Sequence, residues 1–190
     1  MNLAQWAADR ASRLIHGGMN HTDYTAWRSA RTLDDIGRQT ALWLERDIAT
    51  QPGYPPGRGP DPETMPHITV LAAANRTGFV TIGSQPGTPD GQQAQVQGLI
   101  SETDLAWLTT VTHGTPLLVD IRCRGREHHG HRSRWSCPRS TATDFLIWHC
   151  PAAMDAIRSA WYIQVTDPQP GRNTWLWPAL ASYAGLTVTS

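Results

Sequence analysis

The sequence predicts an α+β fold, a mixed α/β arrangement in one domain with a mixed or mainly antiparallel sheet and flanking helices. Two observations lead there. Segments of helical periodicity alternate with short β-branched runs along the 190 residues. Several of those runs also lie close enough in sequence to be joined as hairpins. Composition agrees: 39% hydrophobic residues suffice for a core, and 17% charged residues is low without being disorder-like.

The elements follow in order. Leu3, Trp6, Ala7, Leu14 and Ile15 mark an amphipathic first helix, ended by Gly17 and Gly18. "DYTAWRSA" reads as a short second helix. The third has Thr32 as its cap, Asp34 and Asp35 at its positive end, and Leu33, Ile36, Thr40 and Trp43 on one face. Residues 50–66, "TQPGYPPGRGPDPETMP", hold six Pro and three Gly and read as a long surface loop. No repeat flanks it, so a flap within one domain is favoured over a linker. "HITVLAAANR" is expected to be helical, and Gly78 then turns the chain into "FVTIG". "QVQGLI" is a second strand, and "SETD" opens the helix "LAWLTTV". "PLLVDIRC" is the strongest strand and "FLIWHC" another. "AAMDAIRSAW" is helical, "WYIQV" and "NTWLW" extended, and "PALASYAG" a last helical turn.

Charge and targeting signals narrow the function classes. A formal net charge of zero supplies no global field for nucleic acid or membrane. All sixteen basic residues are Arg, so an Arg-rich stretch means less here than it would elsewhere. Nine Trp accompany two Phe, and Trp serves as core or as a stacking surface. No apolar run approaches the ~20 residues of a membrane span, and the first residues lack a signal-peptide core. A cytoplasmic protein without a membrane partner is expected, with Cys123, Cys137 and Cys150 reduced.

"AANRTGFVTIGSQPG" carries the first candidate site. Simple alternation puts Phe79, Thr81 and Gly83 on one side of the strand and Val80, Ile82 and Ser84 on the other. Pro86 cannot donate to a ladder, so pairing should stop there. Ser84 and Gln85 then present a hydroxyl and a carboxamide, neutral groups suited to a hydrogen-bond-rich ligand such as a nucleoside. The bland alternative is a strand-to-loop turn that satisfies only its own backbone.

"GFVTIGSQPG", with the Asn-Arg before it and "QAQVQGLI" after it, resembles a signature of an uncharacterised family of actinobacterial proteins with a Gly-Phe-x-Thr-x-x-Ser-Gln-Pro motif. The stretch is also similar to a segment in the regulatory domain of eukaryotic methylenetetrahydrofolate reductases, a mixed α/β domain that binds S-adenosylmethionine or its demethylated product. That resemblance implies an adenosyl-ligand role for Thr81, Ser84, Gln85 and Pro86, with Gly78 and Phe79 as scaffold. Gly83 stands where that family usually has Asn, and nothing matches the catalytic flavin barrel, for which the chain is too short.

Residues 121–139, "IRCRGREHHGHRSRWSCPR", carry six Arg, three His and two Cys. Cys123, His128, His129, His131 and Cys137 raise the question of zinc, although their spacing is not that of a standard knuckle. Cys123 and Cys137 each lie seven residues from Gly130. A hairpin turning there would set Arg122, Arg124, Arg126, Arg132 and Arg134 on one face. Its tip histidines would then lie about 20 Å from the Cys pair, at ~3.3 Å per residue. Such an Arg face fits a phosphate-rich or acidic partner; a solvated face with a His-rich tip is the plainer reading.

No Gly-rich phosphate loop, nucleophile elbow or His-Glu-x-x-His pair is present. His113 and His149 each stand beside an expected strand, with Asp120 or Asp144 as orienting carboxylates for a general base. Three functions therefore stay open: a small-ligand binding domain at the Ser-Gln-Pro strand end, an interaction protein using the Arg face, and a His-based, metal-dependent or metal-free enzyme. No cofactor is identified.

Overall fold

The computed structural model describes residues 18–55, 57–124 and 141–187. The expected first helix and most of the Arg/His-rich stretch, including Arg126, His128, His129, His131, Arg132, Arg134 and Cys137, lie outside the described residues.

Helix α1 (His21–Ser29) starts at Asn20, whose Oδ1 accepts the Asp23 amide at 2.8 Å. Helix α2 (Leu33–Leu44) begins with a reciprocal capping box: the Asp35 amide donates to Thr32 Oγ1, and the Thr32 amide donates to Asp35 Oδ2, both at 3.1 Å. Its buried face carries Ile36, Thr40 and Trp43, as the sequence periodicity requires. The end of the expected loop is not irregular: Pro62–His67 forms a 3-10 turn, with Pro at its start where no N–H is needed, and leads into α3 (Ile68–Arg76). Gly78 reverses the chain at φ +101, a conformation that L side chains rarely adopt.

Strand β1 (Val80–Gln85) pairs with β2 (Gln95–Ile100), followed by α4 (Glu102–Thr112) and β3 (Leu118–Arg124). Then come α5 (Thr141–His149), α6 (Met154–Ser159), β4 (Trp161–Thr166) and α7 (Leu176–Tyr183). The sheet order is β1-β2-β4-β3, and every pair is antiparallel. The α+β class with a mainly antiparallel sheet and flanking helices is what the sequence predicts.

Each sheet face carries its own core. On one, Val96, Ile100, Ile163 and Val165 pack with Leu71, Leu108, Leu176 and Leu180 of α3, α4 and α7. On the other, Val80, Leu99 and Tyr162, aligned by register, pack with Trp27, Ile36, Leu146 and Ile157 of α1, α2, α5 and α6. Each fully buried Ile or Leu stabilises the fold by about 1.5–3 kcal/mol relative to exposure.

Three expectations are corrected. "FLIWHC" is helical: Leu146 and Cys150 are buried four residues apart while Trp148 is exposed. A short apolar run has no period that separates strand from helix. "NTWLW" runs into α7 instead of forming a strand, with Pro178 tolerated in the first turn, where its missing N–H is no loss. Strict alternation in β1 also fails, because a bulge lies between Thr81 and Gly83. Ser84 pairs with Val96 and so shares the face of Thr81, whose partner is Gly98. No helix among the described residues is long and apolar enough to cross a membrane.

Candidate functional site

Most of the Ser-Gln-Pro stretch is held by its own architecture, and only a small gap adjoins it. Thr81 is pinned by Asn75 at the end of α3. Its amide donates to Asn75 Oδ1 at 3.0 Å, and its hydroxyl accepts from Asn75 Nδ2 at 2.7 Å. Pro86 and Gly87 are buried against the loop before α7. There Asn173 bonds both polar groups of Gly87, at 2.8 Å each. A Cβ on Gly87 would lie 2.9 Å from the Arg172 carbonyl oxygen, so the two backbones meet without a side chain between them. Asp167, fully buried, holds that loop through Arg172, whose Nε donates at 2.8 Å.

Ser84 and Gln85 do not act together. Gln85 pairs with Gln95 on the opposite face, and its carboxamide donates to the Pro86 carbonyl at 3.3 Å. That face carries an amide array the sequence reading missed: Gln164 donates to Gln95 at 2.8 Å and Tyr162 to Gln97 at 2.7 Å. Its sequence signal was the alternating Gln of "QAQVQ".

Thr81 and Ser84 line a gap of about 20 Å³ closed by the flap and by Trp43, enough for a water-sized guest. As it stands, this gap does not hold a nucleoside. A second gap of about 30 Å³ adjoins it at Thr40, Val80 and Leu146. The larger space lies on the other side of the flap. A cleft of about 220 Å³ opens between Thr50–Pro55, Met19 and the Phe145 and His149 side chains of α5. Gln51 and Tyr54 line all three spaces.

The sequence explains how the flap root is set. Gln51-Pro52-Gly53-Tyr54 closes with the Tyr54 amide on the Gln51 carbonyl at 3.1 Å, and Gly53 stands at φ +88. Pro second and Gly third is the pattern a type II turn requires. Before it, Asp23 accepts from the Ala49 amide at 3.0 Å and the Thr50 hydroxyl at 2.7 Å, and the Trp27 indole donates to the Thr50 carbonyl at 3.0 Å. The Tyr54 ring leans on Trp43 with centroids 4.6 Å apart. Burial, then the Asp61 charge, raises the Tyr54 phenol above its usual range and keeps it a donor.

His149 is buried, and its Nδ1 lies 2.8 Å from the Phe145 carbonyl oxygen. A carbonyl only accepts, so Nδ1 carries the proton and Nε2 is left as the acceptor in the neutral ring. Neither expected orienting carboxylate takes part: Asp120 accepts from Arg122 Nε at 2.9 Å, and Asp144 is exposed. His113 caps the end of α4 at the surface. Cys150 is fully buried, which pushes its thiol up to about 12, so it is no nucleophile.

Two polar atoms beside these spaces are enclosed and without a partner: Trp43 Nε1, a donor, and Gln51 Oε1, an acceptor. Arg122 is engaged by Asp120, and β3 slips register between Ile121 and Cys123. Among the described residues no group of three His, Cys, Asp or Glu could hold a metal ion.

A family model described as a domain of unknown function (DUF6919) matches residues 22–132, more than half of the chain. The match runs from α1 through β3 and includes the flap and the Ser-Gln-Pro strand. No curated protein matches the chain.

Proposed function

We propose that this chain, which belongs to the DUF6919 family, is a small-molecule-binding domain whose ligand sits against the root of the flap, residues 50–55. The observation that carries this reading is the cleft of about 220 Å³ walled by Tyr54 and Phe145 and floored by His149. A dry cavity of ~150 Å³ already accepts benzene, whereas drug-sized ligands occupy ~300 Å³ or more. The cleft is therefore scaled for one or two fused rings. Among the described residues no carboxylate or guanidinium lines it, which favours a neutral guest. Adenosyl and nucleoside-like compounds stay the first to try, entering base-first, with Thr81 and Ser84 behind the Gln51–Tyr54 turn.

A thermal-shift panel of nucleobases, nucleosides, S-adenosylmethionine and S-adenosylhomocysteine tests this. A ligand of the folded state raises the Tm. The rise should disappear in Phe145→Ala, a half-exposed position whose loss costs little stability, and should survive Ser84→Ala only in weakened form. A flat panel, or a rise indifferent to Phe145 and Tyr54, would overturn the reading.

A further inference from the structure

We infer that the turn Gln51–Tyr54 is a gate, and that the space behind it, at Thr40, Thr81 and Ser84, is a second compartment reached when the turn swings out. The use of that compartment for a ligand rests on the binding reading above, and it extends the cleft toward Ser84. The gap of about 30 Å³ and the cleft of about 220 Å³ share three lining residues, Gln51, Gly53 and Tyr54, and all three belong to the turn. The gap of about 20 Å³ at Ser84 shares Gln51 and Tyr54 with the cleft. The turn is therefore the partition between front and back.

Its attachment is one-sided. Three hydrogen bonds fix the chain just before it: Asp23 accepts from the Ala49 amide and the Thr50 hydroxyl, and the Trp27 indole donates to the Thr50 carbonyl. From Gln51 to Pro55, among the described residues, the hydrogen bonds are the Tyr54 amide on the Gln51 carbonyl and the Arg58 amide on the Pro55 carbonyl. Neither reaches α2, the sheet or α5. Packing holds the turn shut, with the Tyr54 ring on Trp43 at 4.6 Å. A segment with so few hydrogen bonds beyond a firm anchor opens at low cost. Closure also carries a penalty, because Gln51 Oε1 is enclosed without a partner. A turn that moves as a unit carries that carboxamide out to water.

Buried thiol reporters behind the turn test this in the full chain. Thr40 is 2% exposed and lines both small gaps. In Thr40→Cys, iodoacetamide labelling mapped by mass should proceed without urea, at a rate that low urea leaves unchanged. It should run at least tenfold faster than labelling of the native Cys150, which sits in the core and reports opening of the fold. Gln51→Leu removes the unpaired acceptor, so it should slow labelling at residue 40 about tenfold and leave Cys150 unchanged. Thr64→Cys, buried at the gap beside Ser84, supplies the same readout if Thr40→Cys does not fold. Labelling that rises with urea in step with Cys150, or that ignores Gln51→Leu, would overturn the gate and leave the cleft in place. The readout needs no ligand, so a flat thermal-shift panel removes the binding reading without touching this one.

Discussion

Asn173 grips the peptide of Gly87 from both sides, accepting its N–H on Oδ1 and donating to its C=O from Nδ2, each at 2.8 Å. The same Oδ1 accepts the Trp177 indole at 3.0 Å, so one carboxamide ties the end of β1 to the first turn of α7. This explains why the strand ends in Pro-Gly. Pro86 halts the ladder, and Gly87 lets the Arg172 backbone approach.

Asn173→Ala should destabilise the protein by about 3 kcal/mol or more, since it leaves both Gly87 groups and the Trp177 N–H without partners at ~1–3 kcal/mol for each unsatisfied buried group. Ser84→Ala, which removes no protein hydrogen bond, should stay within about 0.5 kcal/mol. Urea midpoints of the two variants decide the matter. Comparable losses would make Ser84 architectural as well.

His67 gives the fold a pH dependence on the acid side of neutrality. Its ring stacks on Trp177 with centroids 3.8 Å apart and planes 8° from parallel, and burial holds its pKa below the usual histidine range. A depressed histidine contributes stability that is complete above the unfolded value, ~6.5, and is lost as pH falls from there through the folded value. His67→Phe keeps the stacking and removes the titration. The slope of unfolding free energy between pH 7 and pH 5 should therefore be shallower in the variant; an unchanged slope would assign that dependence to other groups.

Cys150 should resist thiol reagents in the native state. It is fully buried and its thiol is pushed up to about 12 by that burial, opposed only weakly by the Arg28 charge. Labelling at Cys150, mapped by mass, should follow the rate of unfolding and rise steeply across the urea transition. Rapid labelling without urea would mean that α5 opens locally, and with it the floor of the cleft.

The legibility of this fold follows how local each cause is. Thr32 and Asp35 announce α2 because both partners of a capping box lie within four residues. The flap was legible from its Pro and Gly, and Gly78 from its place between a helix and a β-branched run. α5 was not, because Phe145 to Cys150 is apolar on nearly every side, and only the packing of Leu146 and Cys150 into one core shows the helical period. The bulge at Ile82 was equally hidden. Its effect, moving Ser84 to the Thr81 side, depends on pairing with β2. Among the candidate site residues, Ser84 does face a gap under the flap. Asn173 and the meeting of Gln51 and His149 at one cleft could not be seen, since these residues are far apart in sequence from what they adjoin and no spacing rule joins them. Trp was a poor guide: Trp27, Trp43 and Trp177 are buried, but Trp107, Trp148 and Trp175 are exposed.

Gly37 supplies a case where local propensity and packing predict opposite signs. It lies inside α2, where Ala is favoured over Gly by about 1 kcal/mol. A Cβ there would stand 2.1 Å from the Asn75 carbonyl oxygen and 3.1 Å from its carbon, and both are backbone, which cannot swing aside. Making room means moving α2 away from α3, and Asn75 is the residue that holds the Thr81 amide and hydroxyl. Overpacking against side chains costs about 1–3 kcal/mol, and a clash this short with backbone belongs at or above the top of that range. Packing therefore wins, and Gly37→Ala should lower stability by about 2 kcal/mol or more despite the better helix former. The Thr81 amide should lose hydrogen-exchange protection along with it. A raised Tm with Thr81 still protected would show that α2 and α3 separate at little cost, and that Asn75 does not fix the start of β1.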